Sequence, residues 1–305
     1  MAKLIHDVDA PENRSLSTLK FIEIVENLGV SKYTLNELSD LVSGKKLVDM
    51  SGFSGNSTLL ALGEDSSYCI KIGYSKSCLF KEKVLIGLFN RAGVADKVIH
   101  YIQDAVDILV TGVNPNYIAV EKIPTYKELA EFMGRSLREF HDIDWDSVEL
   151  TYFERNVLNS NSDKIMSGVL SHSQGLGFFA DYIGDHDYDS MKEYIKNNIS
   201  SFNEDVIIHG DYNPRNVFTD GKNFKGIIDV TDCAFGDRHY DIIWAMWTVP
   251  LNSGVLGEPD KVAECEEILL DAYGRDAIDL NRLEFCKKLC CMYWQESNDI
   301  RYFGS

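Results

Sequence analysis

The stretch His209-Gly210-Asp211-Tyr212-Asn213-Pro214-Arg215-Asn216, followed by Ile227-Ile228-Asp229-Val230, constrains this chain more than any other feature. Asp211 and Asn216 stand five residues apart across a loop containing Pro214, through which no helix continues freely. The segment NVFTDGKNFKGIIDV reads as two short strands around the turn Asp220-Gly221. Such a hairpin returns Asp229 to the side of Asn216, so that two oxygen ligands and one further carboxylate meet at one edge of a sheet. Mg2+ takes a few hard oxygen ligands and keeps its other positions for water and phosphate. Phosphoryl transfer needs that metal and a carboxylate that orients the attacking hydroxyl. Each residue alone reads as a turn cap; the joint pattern H-x-D-x(4)-N, hairpin, I-D points to a site.

The 305 residues are too many for one small core and fit two lobes. Residues 15–28 read as an amphipathic helix capped by Ser15 or Ser17, with Leu19, Ile22 and Val25 on one face. A second short helix is expected over 34–42. From 47 to 73 the texture is strand, Gly/Ser turn, strand, polar turn, strand; a helix follows over 81–89, then strands near 98–103, 107–113 and 117–123. Beyond Pro124 the pattern is mostly helical, with Leu129, Met133, Leu137 and Phe140 on one face of a helix over 126–141. The hairpin is the single β element expected in that half. The boundary is placed at 121–124, giving an N-terminal lobe over 1–121 that includes the helices at 15–42, and a C-terminal lobe over 122–305. The fold class is α+β: an antiparallel β lobe with one main helix, then a mostly helical lobe.

Thirty basic against 48 acidic side chains give a net charge of -18, which argues against nucleic acid and suits a cationic small molecule. No apolar run approaches the ~20 residues that span a bilayer, and the N-terminus lacks a secretory pattern, so a cytoplasmic protein without membrane contact is expected, as a monomer or weak dimer. Seven cysteines argue against a disulfide scaffold. Cys286, Cys290 and Cys291, at helical spacing, read as buried packing and not as a metal site.

The sequence HGDYNPRN…IIDV resembles the signature of the aminoglycoside phosphotransferase and choline kinase superfamily, whose fold is similar to that of protein kinases, and the likeness runs from about Met50 to Trp247. That resemblance implies a two-lobe kinase-like fold, with Mg2+ and ATP or GTP as phosphoryl donor. It gives Asp211 the acceptor hydroxyl, gives Asn216 and Asp229 the metal, and makes His209 an organiser of the loop. FGDRHYDI matches the family's G-D-x-x-x-D, so Asp237 and Asp241 would brace the catalytic loop. Lys71, one charge within the apolar strand YCIKI, resembles the lysine that pairs with nucleotide phosphates, with Glu82 as its partner. In the turn Ser51–Ser57 the hydroxyls of Ser54 and Ser57 are candidates for phosphate contact. At the hinge, the Glu121 carbonyl and the Ile123 amide would meet adenine, their side chains being indifferent.

The acceptor is expected to lie against the helical lobe. Acidic runs at 142–146, at 181–189 and near Glu296 and Asp299 could bind the ammonium groups of an aminoglycoside, although each run also reads as a solvated face. Choline would need an aromatic cage; Trp244 and Trp247 are candidates that read more simply as core. Homoserine and methylthioribose remain open as acceptors. A nucleotide-binding module without turnover would lack a metal ligand or the lysine, and all are present. A metal-dependent hydrolase would need further His or carboxylate ligands at fixed spacing, whereas the other histidines are scattered.

Overall fold

The computed structural model describes residues 14–50, 56–75, 77–171 and 187–293. The chain divides into two compact units, Met1–Ala119 with Phe218–Thr231, and Val120–Val217 with Asp232–Ser305.

The first unit is built on a six-stranded antiparallel sheet in the order β1-β2-β3-β4-β6-β5. Its strands are β1 (Arg14–Leu16), β2 (Lys46–Asp49), β3 (Ser57–Leu62), β4 (Ser67–Gly73), β5 (Val98–Gln103) and β6 (Asp107–Val113). Side chains alternate across the pleat, and here both faces are put to use. Leu59 and Ala61, Ile70 and Ile72, and Ile108 and Val110 form one face and pack on Phe21, Val25, Leu38 and Val42 of α1 (Thr18–Asn27) and α2 (Lys32–Val42). Leu60, Cys69, Lys71, Leu109 and Thr111 belong to the other face and line a cavity with α3 (Phe80–Arg91). One strand thus carries core residues and site residues in alternate positions, and a slip of one residue would exchange them.

Four expectations need correction here. The first helix begins at Thr18, capped by Ser17 accepting from the Lys20 amide, because residues 14–16 pair with β2. Its buried stripe is Phe21 and Val25, while Leu19 is 84% exposed. The strand expected over 117–123 is only β7 (Ile118–Ala119), after which the chain turns into a 3-10 helix, Val120–Lys122. The hairpin β9 (Val217–Thr219) and β10 (Phe224–Ile227) joins β7 in a three-stranded sheet, with Ile118 opposite Thr219 and Ala119 opposite Phe218. That pairing assigns residues 218–231 to the first unit.

The second unit is helical: α4 (Tyr126–His141), α5 (Trp145–Val148), α6 (Tyr152–Ser171), α7 (Tyr188–Asn197), α8 (Arg238–Asn252), α9 (Pro259–Tyr273) and α10 (Leu280–Tyr293). The four expected core positions of α4 are all buried, and Thr125 caps it by accepting from the Glu128 amide. A further β pair that the sequence pattern does not announce, β8 (Val206–Ile208) with β11 (Ala234–Gly236), flanks the segment His209–Asn216. Three-residue strands are too short to show alternation. Cys286, Cys290 and Cys291 are buried on α10, as expected. No helix among the described residues is long and apolar enough to cross a membrane.

Helices α4 and α9 touch through Gly134, where an added Cβ would lie 2.3 Å from the Leu269 carbonyl oxygen and 2.9 Å from the Ala272 Cβ. Alanine normally favours a helix over glycine by about 1 kcal/mol. Here the helices would have to separate, so Gly134→Ala is expected to destabilise the protein by about 1–3 kcal/mol in urea unfolding. An unchanged or raised midpoint would show that the contact has slack.

Candidate active site

In the second unit the site begins with a buried carboxylate. Asp241, in the first turn of α8, accepts the backbone N–H of His209 at 2.6 Å and of Gly210 at 2.9 Å. Its Oδ2 also lies 3.2 Å from Nε2 of His141, and Nδ1 of that ring lies 2.9 Å from the Tyr273 hydroxyl. Asp241, His209 and His141 are all buried. A charge taken out of water this completely needs several donors, and these three supply them. The backbone is fixed in consequence. Gly210 has φ +84°, and a Cβ there would stand 2.6 Å from the Asp232 carbonyl oxygen, so only glycine fits.

Asp211 follows directly. Its amide donates to Nδ1 of His209 at 3.2 Å, which makes His209 an organiser of the loop as expected from the motif. The two carboxylate oxygens are held by side-chain amides: Nδ2 of Asn213 donates to Oδ1 at 2.9 Å, and Nδ2 of Asn216 donates to Oδ2 at 3.0 Å. Asn216 therefore turns its amide nitrogen toward Asp211, so its Oδ1 is the atom with which it can hold a cation. Tyr212 is buried beneath the loop, donating to Ser136 at 2.9 Å.

The two carboxylates expected to brace the loop have separate tasks. Asp237 caps α8 and accepts from Nε of Arg282 at 2.8 Å, the Asn203 amide at 3.2 Å and the His239 ring at 2.6 Å, and so ties the start of α8 to α10. The backbone of the loop at His209 and Gly210 is bonded by Asp241.

Glu121 also departs from expectation. Its N–H donates to the Pro214 carbonyl at 3.1 Å, and its side chain lies 3.2 Å from Nε of Arg215, so the side chain is part of the loop's support. The Ile123 amide donates to the Val120 carbonyl at 3.0 Å, closing the 3-10 turn.

In the first unit, Lys71 of β4 is buried and paired to Glu82 of α3 at 2.5 Å, the partner anticipated from sequence. Burial alone would push the ammonium pKa down. The charges of Glu82 and Asp229 outweigh it, and the pKa is raised, so Lys71 stays charged. Asp229 lies 3.6 Å from Lys71 and keeps half of its side chain exposed. It adopts φ +59°, a left-handed conformation uncommon for a residue with a Cβ and best tolerated by Asp and Asn. Lys71, Glu82 and Asp229 line one cavity with Leu60, Cys69, Phe218 and Ile228. The backbone segment along this cavity is Thr111–Asn114 at the end of β6, a signal hidden in the sequence because the strand reads as ordinary core. Ser57 opens β3 and bonds the Tyr74 hydroxyl. Ser54, Glu296 and Asp299 lie outside the described residues.

Residues 109–286 match the phosphotransferase enzyme family. The chain belongs to that family. A curated relative from Lactococcus lactis, named "Probable aminoglycoside 3'-phosphotransferase", is 27% identical over 260 residues, covering 83% of this chain and 92% of its own. Among solved structures, an aminoglycoside 3'-phosphotransferase of type VIII superposes with a TM-score of 0.57 at 19% identity, over 85% of this chain and 97% of its own. A choline kinase of Streptococcus pneumoniae superposes at 0.53 and 14% identity, over 88% and 92%. The α+β, protein-kinase-like fold read from sequence is thereby shown, and with it a phosphotransferase activity.

In this phosphotransferase, removing Lys71 leaves Glu82 buried without its cation. Lys71→Met is expected to cost about 3 kcal/mol in chemical unfolding, and Lys71→Met with Glu82→Leu is expected to recover at least half of that loss. A double variant as unstable as the single one would mean the pair contributes nothing beyond packing.

Proposed function

We propose that the protein transfers the γ-phosphoryl group of a nucleoside triphosphate, in the presence of Mg2+, to a hydroxyl of an aminoglycoside. The observation that carries the catalytic part is the fixed carboxylate of Asp211, clamped by two amide side chains on a loop held by Asp241. In that role Asp211 orients the acceptor hydroxyl and takes its proton. Asn216 through Oδ1 and Asp229 through its exposed carboxylate are the residues suited to hold magnesium, both being hard oxygen donors. The metal, once bound with the nucleotide, would neutralise charge on the phosphates. Lys71, kept charged and aimed by Glu82, pairs with the same phosphates. Ser54 and Ser57 remain proposed phosphate contacts. For the base, the cavity edge at Thr111–Asn114 is favoured over Glu121 and Ile123, because the Ile123 amide is already engaged in its own turn.

The acceptor assignment rests on the curated relative's name and on the net charge of -18. Of the acidic runs, Asp142 is engaged by Arg138 at 2.6 Å and Asp144 caps α5, so that stretch serves local structure. Trp244 and Trp247 are buried in α8, 3% and 5% exposed, which removes them as a cage for choline.

Two substitutions separate the roles. Asp211→Ala is expected to lower transfer by about a thousandfold while nucleotide affinity changes little. Asp229→Ala is expected to abolish the magnesium dependence of nucleotide binding. Calorimetry and single-turnover assays read both; a turnover within about tenfold of wild type for Asp211→Ala would contradict its role. The acceptor is tested by following ADP or GDP release over aminoglycosides with and without a 3'-hydroxyl, choline, homoserine and methylthioribose. Turnover confined to the last three would remove the aminoglycoside reading and leave the kinase reading intact.

A further inference from the structure

One acidic group lining the cavity of the first unit takes no part in the chemistry proposed for phosphate, metal or acceptor. Asp96 lies in the loop between α3 and β5 and lines the same cavity as Lys71, Glu82 and Thr111. Its position is set from both sides. The carbonyl of Lys97 accepts the Gly112 N–H at 2.9 Å, and the carbonyl of Val94 accepts the Ile227 N–H at 2.9 Å. The loop is therefore tied to the strand end that borders the cavity and to β10, and Asp96 stands between these two ties.

Among the described residues its carboxylate has no hydrogen bond and no ion pair. The cations that line the cavity are committed elsewhere: Lys71 to Glu82 and Asp229, and Lys225 to Asp220 at 3.0 Å. Burial pushes the Asp96 carboxyl up to about 6, so at neutral pH the group is ionised in a partly dry wall without a donor. Such an arrangement works against folding, and a ligand that donates a hydrogen bond relieves it.

We propose that Asp96 reads the base of the phosphoryl donor, its carboxylate accepting a hydrogen from the exocyclic amine of adenine. The proposal rests on the reading of this cavity as the nucleotide site. A carboxylate only accepts, so the edge that faces it must donate. The 6-amino group of adenine carries two hydrogens, one for a strand carbonyl and a second for Asp96. Inosine and guanine place an acceptor oxygen at the same position, which an unpaired carboxylate repels. A site built to hydrogen-bond a particular group discriminates strongly against an analogue that lacks it. Asp96 would thus set donor preference without touching the phosphates or the metal.

The test measures binding of the magnesium complexes of ADP, GDP and IDP by calorimetry to the whole protein and to Asp96→Ala and Asp96→Asn. Wild type is expected to prefer ADP to IDP by about tenfold or more, which is the worth of one charge-assisted hydrogen bond. Asp96→Ala should bring that ratio to within about threefold, and Asp96→Asn, whose amide can donate to a 6-oxo group, should shift it toward IDP. Because Asp96→Ala removes an unpaired, half-buried charge, its unfolding midpoint should hold or rise, which guards against a trivial loss of structure. An ADP-to-IDP ratio that is the same in wild type and Asp96→Ala overturns the proposal. A wild type that prefers GDP, with the preference lost in Asp96→Ala, overturns the adenine assignment, since the carboxylate would then be reading the N1 and N2 hydrogens of guanine. Failure of wild type to bind any of the three removes the nucleotide reading of the cavity itself.

Discussion

The loop His209–Asn216 depends on a single buried carboxylate. Asp241 has no access to water, and the donors that offset its desolvation are the two consecutive backbone amides of His209 and Gly210 and one imidazole. Nε2 of His141 lies 3.2 Å from Asp241, and Nδ1 lies 2.9 Å from the Tyr273 hydroxyl. The end of α4, the first turn of α8 and the end of α9 are thereby joined at one point. The close approach of α4 and α9 at Gly134 is the packing counterpart of that junction. The loop backbone cannot shift without leaving a buried charge or a buried N–H unpaired, either of which is costly. Asp211 inherits this rigidity through its own amide and through Asn213 and Asn216. Preorganisation of that kind is what phosphoryl transfer asks of a protein, since the reaction leaves it little covalent chemistry to perform.

The first unit solves a different problem, that of keeping one ammonium charged and aimed inside a sheet. The pleat turns Ile70 and Ile72 toward α1 and α2 and turns Cys69 and Lys71 toward the cavity, so a single strand serves both core and site. Glu82 holds the lysine from α3, and Asp229 adds a second negative charge from a left-handed turn just beyond β10. Cys69, on the same face, has its thiol pushed up to about 11 by burial and is inert packing beside the lysine.

Much of this architecture is legible in the residues themselves. The spacing of Asp211 and Asn216 across a proline loop shows in the bond between their side chains, and the isolated lysine of an apolar strand leads to its partner Glu82. The stripe Leu129, Met133, Leu137 and Phe140 marks α4 without error, because sixteen residues of helix show their period clearly. Errors gather where the signal is short or non-local. Leu19 reads as a core position because only tertiary packing reveals that Phe21 and Val25 face the sheet. The hairpin reads as part of the helical half because its pairing with Ile118 and Ala119, a hundred residues earlier, leaves no trace in local pattern. Nothing in the sequence marks the side chain of Glu121, although it lies in reach of Arg215. Asp96 escapes for a similar reason: one acid in a loop has no pattern until the cavity it lines is known.

The central claim is that Asp241 holds the loop so that Asp211 meets the acceptor. Single-turnover transfer by Asp241→Asn, measured beside its Mg-nucleotide affinity, tests it most directly, because the amide keeps the shape and loses the charge that binds two N–H groups. The account predicts a rate lowered by about a hundredfold with nucleotide affinity within about threefold of wild type. A folded Asp241→Asn protein that transfers phosphate at the wild-type rate would contradict it.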